Sequence, residues 1–210
     1  MQEIWHFIQE LVHPKSIIQY GGLGLLLFII FAETGLFFGF FLPGDSLLFI
    51  AGLFSATGQF NQSIYLVIPS LIVVAILGNF VGYFFGLKAG DLLLRTKDNL
   101  FYKRRYLEMA HEFYEKRGSF AIVLGRFAPI IRTFVPIFAG MVKMDLKKFA
   151  FYNCLGATLW VTLFTLIGFL AGKTYPKLGD HLELIVLFLI VISISPVIFA
   201  FFKKQKPSAS

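Results

Sequence analysis

Long apolar runs separated by short polar or charged segments fill most of this sequence. Largely apolar stretches lie at 17–31, 64–86, 149–172 and 184–202, and Pro69 is expected to interrupt the second of them. A helix needs about 20 apolar residues to cross a bilayer, and the first stretch reaches that length with a few flanking residues. The pattern therefore predicts an all-α polytopic membrane protein with about four spanning helices.

Two further apolar runs, at about 33–56 and 118–141, contain charges and helix breakers. A leucine or phenylalanine at mid-membrane favours insertion by about 0.3–0.6 kcal/mol, whereas an aspartate costs about 2.5–3.5 kcal/mol. Proline ends a helix or kinks it. Such runs are expected to lie against protein, so they predict two re-entrant hairpins. The shared layout predicts inverted repeats that enter from opposite faces, as in transporters with a site at the midplane.

The charged segments indicate the topology. Residues 1–16 have the spacing of an interfacial amphipathic helix, and residues 88–117 are rich in lysine and arginine, which favours a cytoplasmic amphipathic segment. A basic cluster follows at 203–206. Because positive charge is retained in the cytoplasm, both termini are predicted to be cytoplasmic. Residues 17–210 then form a single transmembrane transporter domain in the cytoplasmic (inner) membrane.

Composition supports a membrane protein and narrows its partners. Hydrophobic residues make up 57% of the 210 residues, and the formal net charge is +7. The positive charge lies beside apolar runs, which favours contact with anionic lipid headgroups and argues against a nucleic-acid partner. Cys154 is the single cysteine, so no disulfide framework is expected. No removable signal peptide is predicted.

Four charged residues in the two broken runs are the candidate site. Glu33 and Asp45 flank the helix-breaking pair Pro43 and Gly44 in the first run, whereas the second run contains Arg126, Pro129 and Arg132. Arginine presents a planar fork of donors that suits phosphate oxygens, which predicts phosphate binding by the two arginines. Carboxylates in a low dielectric can exchange protons as substrate binds and leaves, which predicts proton coupling.

Simpler interpretations stay open for these residues. The four charges can be a buried quartet that only holds the two halves together, and Asp45 can be only a helix N-cap. Glycines at 78, 82 and 86 recur on one helix face and predict close helix packing. Asn79 lies beside that face and is expected to hydrogen-bond across it.

The motifs that contain these residues resemble the DedA family of bacterial inner-membrane proteins. The resemblance extends from about residue 30 to residue 170. It rests on Glu33 with Pro-Gly-Asp at 43–45, Gly-Asn-x-x-Gly-Tyr at 78–83, Arg-Phe-x-Pro-x-x-Arg at 126–132, Ala-Gly at 139–140 and Asn-x-x-Gly-x-x-x-Trp at 153–160.

The family shares a superfamily with eukaryotic VTT-domain scramblases. The resemblance implies a proton-linked flippase that returns undecaprenyl phosphate to the cytoplasmic face. The family's functional acids and arginines correspond to Glu33, Asp45, Arg126 and Arg132, with Asn79 and Asn153 in supporting positions. Many members carry glutamate where this chain has Asp45, and often a further arginine where this chain has Leu87 and Lys88.

Four alternatives to a lipid-phosphate flippase remain, one of which is a non-catalytic scaffold. A proton-coupled ion or drug antiporter would use Glu33 and Asp45 alone, and a general phospholipid scramblase would need no phosphate monoester. A lipid phosphatase is disfavoured because no nucleophile and base are paired in the sequence, so we expect no enzyme activity. We also expect no cofactor and no metal, and association into a homo-oligomer stays open.

Overall fold

The computed structural model describes residues 14–36, 44–60, 62–95, 120–127 and 129–175, and most of these residues are helical. The helices are α1 (Pro14–Gly35), α2 (Gly44–Thr57), α3 (Ile64–Arg95), α4 (Ala121–Gly125), α5 (Pro129–Met141) and α6 (Leu146–Thr174). The predicted helical fold class is confirmed for this part of the chain.

Two of these helices are long and apolar enough to cross a membrane: Ile64–Gly90 within α3, and α6 along its whole length. Each helix buries one side and exposes large apolar side chains on the other, including Leu77 on α3 and Leu163 on α6. Exposed leucine is costly in water but favourable in hydrocarbon. The length and the apolar outer sides of α3 and α6 are therefore those expected of helices in a membrane protein.

Local breaks differ in part from those predicted. Pro69 was expected to interrupt its span, but α3 continues through it and past Gly86 to Arg95, so that interruption is wrong. A proline is tolerated there because it lies near the amino-terminal end of the helix, where few intrahelical bonds are lost. In α1 the break falls at Gly22, whose φ of 57° and ψ of −152° lie outside the helical region.

Close backbone contacts join the helices in two pairs. A methyl group on Gly52 of α2 would overlap the Thr165 carbonyl of α6, and one on Gly168 of α6 would overlap the Phe49 carbonyl of α2. In the other pair, a methyl group on Gly140 of α5 would overlap the Tyr83 carbonyl of α3. Glycine allows this approach because it has no side chain, as in other membrane helix pairs.

The two helix pairs repeat the same contacts. Gly86 of α3 lies against the Ile137 carbonyl of α5, as Gly168 of α6 lies against Phe49 of α2. The sequence separation from Phe49 to Ile137 equals that from Gly52 to Gly140. Helix α2 therefore corresponds to α5, and α6 corresponds to α3, which agrees with an internal repeat. Entry of the broken segments from opposite faces stays a prediction.

Several predicted segments lie outside the described residues. They are residues 1–13 of the amphipathic helix predicted at 1–16, most of the basic segment at 88–117, the last span at 184–202, and Pro43 in the first hairpin.

Candidate functional site

Arg132 lies at the centre of the candidate site and contacts both predicted acids. Its Nη1 donates to Asp45 Oδ1 at 2.5 Å, and its Nη2 donates to Glu33 Oε1. Glu33 lies near the end of α1, Asp45 in the first turn of α2, and Arg132 in α5. All three side chains are buried, with Glu33 fully inaccessible. Breaking a buried ion pair is costly, so this contact holds three separate segments of the chain together.

Trp160 of α6 joins the same group from the opposite side. Its Nε1 donates to Asp45 Oδ1 at 2.8 Å, and the Arg132 Cζ lies 4.8 Å from the centre of its ring. The distance to the ring is within the range of a cation–π contact. One carboxylate oxygen of Asp45 therefore accepts bonds from both α5 and α6, and the indole contacts both members of the ion pair.

Arg126 lies just after α4 and contacts amides instead of acids. Its Nη2 donates to Asn153 Oδ1 at 2.6 Å, and Asn153 Nδ2 donates to the Ile76 carbonyl at 3.2 Å. Among the residues that the structure describes, no carboxylate pairs with Arg126, although its side chain is only 2% exposed. A buried guanidinium with neutral partners keeps its full positive charge.

Asn79 of α3 completes the surroundings of Arg126. Its Nδ2 lies 2.9 Å from Asn153 Oδ1. With the amide turned over, its nitrogen donates to the Thr34 carbonyl at 3.1 Å and its oxygen accepts from Arg126 Nη2 at 2.6 Å. The turned amide satisfies more hydrogen-bonding groups, and it places Asn79 between Arg126 and Thr34, the residue that follows Glu33. The predicted hydrogen bond across the helix interface is confirmed in either orientation.

Two glycines leave room for these charges. A methyl group on Gly44 would overlap Glu33 Oε2, and one on Gly156 would lie 2.9 Å from Arg126 Cδ. Both glycines were part of the sequence motifs, and the structure gives each a steric reason. The predicted packing role of the glycines at 78, 82 and 86 also holds: Gly78 contacts Thr34 and Gly35, while Gly82 and Gly86 face α5.

Some polar atoms of the site lack a partner among the described residues. Glu33 Oε2, Arg126 Nε and Arg132 Nε are buried and make no hydrogen bond within that part of the chain. Each unsatisfied buried group carries a desolvation cost of about 1–3 kcal/mol or more.

The structure thus brings Glu33, Asp45 and Arg132 together and places Arg126 in a neighbouring cluster with Asn79 and Asn153. Pro43 lies outside the described residues, and Pro129 begins α5. Sequence reasoning assigned no site role to Trp160, although a tryptophan deep in a span, away from the interfacial belt, is itself an unusual position. No group of three or more His, Cys, Asp or Glu side chains in the described ranges is placed to hold a metal ion.

Comparison with known proteins gives consistent matches over this region. Residues 42–170 match the VTT domain family. The chain is 37% identical to Protein DedA of Escherichia coli K12 over 185 residues, which cover 88% of this chain and 84% of DedA. It is 34% identical to the inner membrane protein YqjA of Escherichia coli K12 over 190 residues, 87% of this chain and 82% of YqjA. A Mycobacterium leprae membrane protein is 36% identical over 189 residues, 90% and 83% of the two chains. No solved structure matches.

Proposed function

The chain belongs to the DedA family of membrane proteins, and we propose that it is a proton-coupled lipid-phosphate flippase whose substrate is undecaprenyl phosphate. One observation supports this proposal above the others. A buried arginine, Arg132, has each of its two terminal nitrogens on a carboxylate, and the two acids come from separate segments. Arginine binds phosphate and carboxylate with the same fork of donors.

Phosphate and the two acids therefore compete for Arg132. A phosphoryl group that binds the two terminal nitrogens must displace Glu33 and Asp45, and two displaced carboxylates beside a phosphate would repel it. Protonation of the acids removes that repulsion, because a neutral carboxyl group releases the guanidinium. A protonated Glu33 could then donate from its unpaired Oε2 to a phosphoryl oxygen. Substrate and protons are then bound in the same state and move in the same direction.

Arg126 supplies the charge that attracts the headgroup. The acids beside Arg132 neutralise the charge of Arg132, whereas the described partners of Arg126 are the neutral amides of Asn153 and Asn79. A phosphate oxygen can approach Arg126 without displacing an acid. The two arginines then have different roles. Arg126 binds the incoming phosphate, and Arg132 binds it only after the two acids are protonated and no longer pair with the guanidinium.

The test is transport of labelled undecaprenyl phosphate in reconstituted vesicles, with and without a pH gradient. We expect transport by the wild-type protein to rise when the side from which the lipid leaves is acidified. Arg132→Ala and Asp45→Asn should abolish transport while the protein remains folded, whereas Lys148→Ala, a change at an exposed lysine, should have no effect. Normal transport by the first two variants would remove these residues from the mechanism.

The same vesicles separate the alternative functions. A general scramblase would move phospholipids without a phosphate monoester, in both directions and without a gradient. An ion or drug antiporter would show proton-coupled cation flux that survives Arg126→Ala. The proposed flippase predicts neither result, because its substrate specificity depends on the arginines.

A further inference from the structure

We propose that Trp160 is the positioning residue of this site. Its indole fixes the positions of the Asp45 carboxylate and the Arg132 guanidinium relative to each other, so that a phosphate monoester can replace the carboxylate on Arg132. This inference rests on the proposed function. It adds a residue on α6 to a site whose charges come from α1, α2 and α5.

Trp160 contacts the two charges in different ways. The indole N–H bonds to Asp45 Oδ1, the same oxygen that accepts from Arg132 Nη1. The indole ring lies under the guanidinium, with Cζ 4.8 Å from its centre. The first contact needs a donor and the second needs an aromatic face, and tryptophan provides both. Trp160 is fully buried, so water does not substitute for either contact.

Trp160 and Asp45 are held at a fixed distance by the packing of their helices. Gly52 and Gly168 bring the backbones of α2 and α6 into direct contact on the same helix faces. Arg132 lies on α5, which packs on α3 through Gly140 and Gly86. Trp160 and Asp45 therefore lie on one helix pair, α2 and α6, whereas Arg132 lies on the other pair, α3 and α5.

This arrangement gives the indole a specific task during the exchange of partners. When Arg132 leaves Asp45 for a phosphoryl oxygen, Asp45 keeps the indole N–H as a donor. At the same time, the ring face keeps the guanidinium near its original place. Without the indole, Asp45 would lose the donor that it keeps during the exchange, and the Arg132 guanidinium would lose the ring face beside it. The charged groups that face this position are Glu33 on α1, Asp45 on α2 and Arg132 on α5.

Trp160→Phe tests the hydrogen bond, since phenylalanine keeps an aromatic face but has no N–H. A hydrogen bond to a charged group accounts for roughly a 10- to 100-fold change in an equilibrium, and we expect transport of undecaprenyl phosphate to fall by a factor in that range. Trp160→Leu removes both contacts and should reduce transport further. Phe149→Leu is the matched control: it truncates a fully buried ring on the same helix away from the charges, and should leave transport per folded molecule unchanged.

A purely structural role is distinguished by a double-mutant cycle in binding affinity for undecaprenyl phosphate. If Trp160 acts through Asp45, Trp160→Phe should change the affinity little in an Asp45→Ala background, because the bond is already absent. If the indole only fills space, the changes in binding free energy caused by the two substitutions should add. Additive changes would overturn the inference.

Fluorescence gives a readout that does not depend on transport. The chain has two tryptophans, so Trp5→Phe leaves Trp160 as the sole indole. We expect its emission to change when undecaprenyl phosphate is added, and to stay constant with undecaprenol, which lacks the phosphate. Constant emission with undecaprenyl phosphate, in a preparation that transports it, would refute the positioning role.

The two proposals fail in different ways. If the wild-type protein does not transport undecaprenyl phosphate, the proposed function and the substrate named for Trp160 are both wrong. If the wild-type protein transports it and Trp160→Phe does so equally well, only the inference about Trp160 is wrong.

Discussion

Gly44→Ala tests the geometry of the acidic side of the site with one added methyl group. Gly44 begins α2 beside Asp45, and a methyl group there would overlap Glu33 Oε2. The backbone of α2 is fixed against α6 by Gly52, so the glutamate must move. Its displacement breaks the contact between Glu33 Oε1 and Arg132.

The expected cost follows from the burial of that ion pair. Breaking a buried pair while one charge stays inside costs about 3–5 kcal/mol. For a protein of this size, each kcal/mol lowers the melting temperature by about 2–4 °C. We therefore expect Gly44→Ala to lower the melting temperature in detergent by roughly 6–20 °C, and to abolish transport of undecaprenyl phosphate.

Two comparisons separate this mechanism from a general effect of alanine. Gly24→Ala adds the same methyl group on α1, where it would have no neighbouring atom within 4 Å. This change should stabilise the helix by about 1 kcal/mol or leave its stability unchanged. In a Glu33→Ala background the space beside Gly44 is vacant, so Gly44→Ala should then cost little. An equal loss of melting temperature with and without Glu33 would refute the reasoning.

Three further predictions concern the arginines and the helix contacts. Arg132→Ala leaves two buried acids without their shared partner and should destabilise the protein by about 3–5 kcal/mol. Arg126→Ala leaves only neutral amides and should destabilise the protein less. Thermal unfolding of both variants gives the comparison. Asn153→Asp places a carboxylate beside Arg126, so it should raise the melting temperature and reduce transport. Increased transport would contradict the proposal that Arg126 binds the incoming phosphate. Gly140→Ala should force α5 away from the Tyr83 carbonyl and cost at least about 1–3 kcal/mol, visible as a lower yield of monodisperse protein.

Much of the architecture could be predicted from the sequence because the bilayer imposes strong rules. The charges and the Pro-Gly pair of the first broken run predicted a break there, and α1 and α2 are separate helices on either side of residues 37–43, whereas α3 continues through Pro69. The glycine spacing at 78, 82 and 86 also predicted close packing correctly. Such features depend on local composition and helical spacing, which a single sequence contains.

The partners of each charge could not be predicted in the same way. Charge counting suggested a quartet, but Arg132 contacts both acids and Arg126 contacts Asn153. Which arginine reaches which acid depends on the tertiary packing of the helices, and no local pattern encodes that packing. The contact of Trp160 with Asp45 is of the same kind, since it joins residues far apart in the chain.

The position of the charges relative to the two helix pairs links binding to movement. Asp45 belongs to the pair α2 and α6, and Arg132 to the pair α3 and α5, so their ion pair crosses between them. A ligand shifts a conformational equilibrium only by its difference in affinity for the two states. On the proposed function, a phosphate that takes Arg132 from Asp45 removes a bond between the pairs as it binds. The hydrogen bond from Asn153 Nδ2 to the Ile76 carbonyl also joins α6 to α3 but need not break, so it can serve as the point about which the pairs turn.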